Sequence, residues 1–94
     1  MRKLIIWPGI SLRLGQCGLT HQGLPMFLNR LRGELEDRYR INCGLRDEED
    51  PRFFRFLTTF ADGGLMHHFE FVLDDSTSPD HLFIEDFDHE SRPI

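Results

Sequence analysis

The stretch Leu65–Asp74, LMHHFEFVLD, limits the possible folds of this chain more than any other, because its side chains alternate in kind. In an extended strand Leu65, His67, Phe69, Phe71 and Leu73 share one face, and Met66, His68, Glu70, Val72 and Asp74 share the other. The first face is apolar except for His67, so it needs a covering layer. Its backbone also needs neighbouring strands. Upstream, residues 52–61 are rich in Phe and Thr and are followed by Asp62-Gly63, a strong short-range hairpin signal. Asp50 and Pro51 could instead be the N-cap and first residue of a helix that buries Phe53, Leu57, Phe60 and Ala61. The hairpin is preferred, since Phe and Thr favour strands.

The covering layer is a helix. Leu24, Phe27, Leu28, Leu31 and Leu35 form one apolar stripe at helical spacing, and Pro25 fits its first turn. On its outer face Arg30 and Glu34, Glu34 and Arg38, Arg32 and Glu36, and Glu36 and Arg40 lie four apart, the pattern of a solvated helix laced by ion pairs. From Tyr39 the period changes to two, with Tyr39, Ile41, Cys43 and Leu45 on one side, which predicts a strand. Residues 3–7 read as a short buried strand stopped by Pro8-Gly9, with 10–14 continuing it after a bend and 15–23 a loop. A last strand is expected over 81–87.

The expected fold is therefore α+β, one amphipathic helix packed on a small, mostly antiparallel sheet in the order β-α-β-β-β-β. Residues 1–90 form one domain and 91–94 a polar C-terminal tail. A chain of 94 residues is near the size at which one core suffices without metal or disulfide support. Nine Phe, each burying roughly 150–250 Å², supply much of that core. The apolar run Leu4–Trp7 ends at Pro8, too short for a secretory signal, and no run reaches membrane-spanning length. A cytoplasmic protein that does not engage a membrane is expected.

Charge is divided unevenly along the chain. Residues 1–46 hold eight Lys or Arg against three acids, and residues 47–94 hold three Arg against thirteen acids. The halves thus carry +5 and −10, an asymmetry that points to a charged partner. The acids of the second half, Asp74, Asp75, Asp80, Glu85, Asp86, Asp88 and Glu90, are the candidate partner-binding residues. Such carboxylates compete for a basic protein surface, for example that of a nuclease or a nucleic-acid-binding protein, as inhibitors and immunity or anti-defence proteins do. The same charge disfavours direct binding to nucleic acid. An alternative is a homo-oligomeric structural or regulatory subunit, the basic half of one copy meeting the acidic half of another.

Chemistry is sparse. No P-loop, dinucleotide fingerprint, EF-hand or serine-nucleophile pattern occurs, so no cofactor is expected. A zinc site would have to draw on Cys17, His21, Cys43 and one of His67 or His68, but structural zinc sites normally show two close ligand pairs and here only Cys17 and His21 are close. "GQCG", residues 15–18, resembles the nucleophile setting of cysteine hydrolases. That resemblance implies Cys17 as thiolate, His67 or His68 as base, and Glu85 or Asp86 as the orienting acid. Against it, Pro25 starts the helix well after Cys17, and the second Cys and the Trp of such sites are missing. The preferred reading is noncatalytic, with His67 a hydrogen-bonded core residue.

Overall fold

The alternating run is the strand through which the sheet is built. The computed structural model describes residues 2–42 and 46–94. Its elements are β1 (Lys3–Ile6), α1 (Pro8–Gly15), α2 (Gly23–Asn42), β2 (Phe53–Asp62), β3 (Leu65–Asp74) and β4 (His81–Pro93). The strands lie in the order β1-β4-β3-β2, with β1 parallel to β4 and the other two pairings antiparallel. The class is α+β, as the sequence predicts, with one helix more than expected.

β2 and β3 form the hairpin, in register from Phe53 opposite Asp74 to Asp62 opposite Leu65. Its two-residue loop is Gly63-Gly64, with φ of 60° and 79°. Two consecutive positive φ values are what a tight turn matched to strand twist requires, and glycine adopts them without steric cost. His67, Phe69, Phe71 and Leu73 are buried, and His68 is exposed.

Three expectations need correction. Residues 10–14 belong to α1 and are not a strand. Ile10 and Leu14 are buried one helical turn apart while Leu12 points out, and Pro8, which lacks an N–H, occupies the first turn. The strand predicted from Tyr39 does not form over 39–42. There α2 continues to Asn42, past a non-helical residue at Arg38 (φ −133°, ψ 19°). Extending an existing helix is cheap and no Gly or Pro intervenes, so a short alternation does not end it. Cys43 and Leu45 lie outside the described residues, and Arg46 makes an isolated bridge to Phe54. Finally, β4 runs beyond Phe87 to Pro93, so residues 91–93 of the expected tail pair with 65–67 of β3.

β4 contains a bulge. Val72 faces Asp86 and Leu73 faces Ile84, leaving Glu85 as the extra residue. The bulge reverses which positions point inward, from Leu82 and Ile84 before it to Phe87 and His89 after it. Both helices cover this inner face. Phe27, Leu31 and Leu35 of α2 and Ile10 and Leu14 of α1 are buried there, and the Phe27 ring stacks on Phe69 with centroids 4.5 Å apart.

The arginines of the first half close the sheet's edges. Arg32 donates to the Leu4 carbonyl on β1 at 2.9 Å. Arg30 donates to the Thr59 carbonyl on β2. Where β1 ends and β4 becomes an edge, Arg13 donates to the Phe87 carbonyl at 2.8 Å. Occupied edge carbonyls discourage pairing with another chain. The predicted Arg30–Glu34 and Arg32–Glu36 pairs are present at 3.5 and 3.6 Å, so these arginines serve both roles. No helix among the described residues is long and apolar enough to cross a membrane.

Candidate functional site

Among the described residues no helix lies on the second face of the sheet. Reading across β4, β3 and β2, its rows are Asp86–Val72–Arg55, Asp88–Glu70–Leu57 and Glu90–His68–Thr59. Strand alternation on β3 sends Glu70 outward because Phe69 and Phe71 must go inward, and the bulge does the same for Asp88 and Glu90 on β4. As a result Glu70 and Asp88 stand directly opposite each other. Like charges in that position destabilise a sheet. Glu70 is partly compensated by Arg55, 3.2 Å away, and among the described residues no cation pairs with Asp88.

Beside these carboxylates Leu57 is 72 % exposed. Leu57, His68, Glu70, Asp88, His89 and Glu90 line a shallow hollow of about 290 Å³. Towards β1 the same face turns aromatic. Trp7 stacks on Phe83 with ring centroids 5.3 Å apart and is 46 % exposed.

The predicted site residues do not form one surface. Asp74 is only 5 % exposed, and it accepts from the Ser76 N–H and hydroxyl and the Thr77 hydroxyl at 2.6–2.8 Å. Burial pushes its carboxyl up, but the hydrogen bonds from Thr77 and Ser76 outweigh this and hold it below the usual range. Asp75 accepts a two-pronged contact from Arg46 at 2.7 and 2.9 Å, which likewise holds its carboxyl down. Arg2 donates to the carbonyls of Asp75, Ser78 and His81. Asp74 and Asp75 therefore build the β3–β4 loop.

Asp86 is taken by Arg13 at 2.6 Å, and this bond, with one from the Phe87 N–H, lowers its carboxyl. Asp80 is exposed in the β3–β4 loop, away from the Glu70–Asp88 row, and its carbonyl accepts from the Lys3 N–H at 2.9 Å. Glu85, Asp88 and Glu90 remain exposed along β4, Glu90 with Arg92 at 3.2 Å. Glu70 is not among the residues expected from charge along the chain, although its outward position on β3 is legible in the alternation. Leu57 was missed because an apolar residue in a Phe-rich strand reads as core.

The candidate chemistry of Cys17 finds little setting. Its thiol donates to the Arg13 carbonyl at 3.3 Å, and burial pushes it up against the opposing pull of the Arg13 charge. An activated nucleophile needs the reverse. Cys43, the second thiol of a zinc set, lies outside the described residues. Among the described residues no three His, Cys, Asp or Glu side chains gather as a metal site. His67 is wholly buried and meets His89, with His67 Nδ1 and His89 Nε2 2.8 Å apart.

Comparison with protein families, with curated proteins and with solved structures finds no match for this chain.

Proposed function

We propose that this protein is a noncatalytic interaction module whose uncovered sheet face engages a basic surface of a protein partner, in the manner of an inhibitor or immunity protein. The observation that carries the reading is the direct opposition of Glu70 and Asp88 beside the exposed Leu57. Two facing carboxylates cost the fold stability and an exposed leucine gains it nothing. A cationic partner with an apolar contact relieves the first and buries the second. Glu85 and Glu90 extend the negative field along β4 and favour rapid encounter with a positive surface. Nucleases and nucleic-acid-binding proteins present such surfaces.

The internal use of the arginines favours a foreign partner over self-association. Arg13 and Arg46 of the basic half are already paired with Asp86 and Asp75 of the acidic half within one chain. That pairing consumes part of the charge asymmetry that would hold two copies together.

Affinity capture from the source cell with the wild-type chain and with an Asp88→Lys, Glu90→Lys variant tests the proposal. A protein with a basic surface should be retained by the wild type, released by salt, and lost from the variant. Identical capture by both would overturn the reading.

A further inference from the structure

The pairing of the buried His67 with the partly buried His89 is the second place where the chain departs from what folding alone requires. His67 and His89 stack with ring centroids 5.1 Å apart and 23° between their planes. His67 is fully buried, and among the described residues its Nε2 has no hydrogen-bond partner. Around them the setting is aromatic. The Phe69 ring centroid lies 4.7 Å from that of His89 and 6.3 Å from that of His67, and Phe60 is the cross-strand neighbour of His67.

The 2.8 Å separation of His67 Nδ1 and His89 Nε2 is that of a hydrogen bond, which needs one proton between the two nitrogens. Two neutral rings satisfy it, one donating and the other accepting. A single added proton leaves the bond intact but charges the apolar pocket. A second puts N–H on both facing nitrogens, so attraction becomes repulsion and the rings must part.

The pair also lies where little else holds the strand. The buried anchors of β4 are Leu82, Ile84 and Phe87, all before His89. Beyond it Glu90, Ser91, Arg92 and Pro93 are exposed, and the chain is tied to β3 by its backbone ladder, ending with the Ile94 N–H on the Gly64 carbonyl at 3.1 Å.

We propose that the His67–His89 pair is an acid-operated latch, which pins the C-terminal part of β4 to β3 while it shares a proton and releases residues 89–94 when both rings are charged.

The ionic groups presented by the elements around the pair do not replace this bond. From α2, Arg30 lies over the Phe27 and Phe60 rings and donates to Thr59. At the end of β2, Asp62 accepts from the Thr20 N–H and hydroxyl. Before α2, Cys17 is bonded to Arg13 and His21 is exposed. On β3, the side chains of His68 and Glu70 face outward, as do those of Asp88 and Glu90 on β4. Burial, and then the charge of His67, lower His89 from its ordinary 6.5, with Glu90 opposing. A group lowered on folding binds fewer protons in the folded state. Its contribution is present above pH 6.5 and is lost as pH falls. Asp74, Asp75 and Asp86, lowered from 3.8, lose theirs only in a separate, more acid window.

Hydrogen exchange on the full chain at about pH 7.5 and 5.0, expressed as protection factors, reads the latch directly. Residues 65–67 and 89–94 should lose protection by about tenfold or more through local opening, while Leu82 and Ile84 keep theirs. His67→Phe, which keeps a ring without a titrating nitrogen, should abolish this pH dependence. Imidazole nitrogen shifts of the wild type provide a readout that needs no variant, and His89 should titrate below its ordinary 6.5. Uniform loss of protection across the sheet, no loss at all, the same loosening in His67→Phe, or a His89 that titrates at its ordinary 6.5 would each overturn the proposal.

Discussion

Replacing Asp88 with Lys should make the protein more stable, an unusual sign for a charge reversal on an exposed strand. In the wild type the Asp88 side chain faces Glu70 across the β3–β4 ladder. Opposed side chains in such a ladder have Cβ atoms about 5 Å apart. Two like charges about 6 Å apart repel by roughly 0.7 kcal/mol in bulk water and by about 3 kcal/mol at an effective dielectric near 20. The lower figure applies, because both side chains reach solvent and Arg55 already compensates part of Glu70 from 3.2 Å. Removing the repulsion and adding an attraction of the usual cross-strand size gives a gain of about 1 kcal/mol. For a domain of this length that raises Tm by about 4–8 °C. Thermal melts at low ionic strength should show it. In about 1 M salt, where the screening length falls to about 3 Å, most of the gain should vanish. Glu85→Lys, at the bulge with no residue opposite, should stay within about 0.5 kcal/mol of wild type. A Tm for Asp88→Lys that is unchanged or lower at low salt would show that Glu70 and Asp88 do not repel, and a gain undiminished by salt would show that its origin is not electrostatic.

Two further substitutions test the core and the start of α2. Phe69, 2 % exposed and in contact with the Phe27, Phe71 and Phe87 rings, should cost about 3–5 kcal/mol when cut to Ala, read by urea denaturation. Gly23→Ala should lose about 1–2 kcal/mol, because a Cβ there would overlap the Asp62 carboxylate that accepts from Thr20 just before the helix. Gly33→Ala, in the same helix but with open space around its Cβ, should instead gain about 0.5–1 kcal/mol.

What was legible in the sequence was local. The hairpin and its inward face could be read because period two runs through both strands and a glycine-bearing turn joins them. The stripe from Leu24 to Leu35 was equally plain. α1 was not, because Ile10, Leu12 and Leu14 fit an alternating strand as well as a helix that buries Ile10 and Leu14. What decides between them is that β1 ends at Ile6 and Pro8 begins a new turn.

The partner of His67 was hidden by the bulge at Glu85. An unbroken strand from His81 would turn His89 outward. It would also drive Asp86, Asp88 and Glu90 into the core behind Leu82 and Ile84. That misfit is the signal in the sequence from which the bulge could have been inferred. The roles of Arg13, Arg30 and Arg32 at the sheet edges could not be, because each joins residues far apart in the chain. For the candidate site, Asp88 and Glu90 were visible as acids, but that Asp74, Asp75 and Asp86 are bound up internally depends on Ser76, Thr77, Arg46 and Arg13 arriving from the folded surroundings.

If the carboxylates opposed at a cost to the fold serve a basic partner, they set the association rate of the captured partner, measured with wild type and with Asp88→Lys across a series of salt concentrations. The wild-type rate should fall as salt is added. Asp88→Lys should be slower at low salt and converge with wild type at high salt, while being the more stable protein throughout the low-salt range. Equal rates for the two chains at low salt would contradict the account, because the Glu70–Asp88 opposition would then carry a cost to folding with no return in binding.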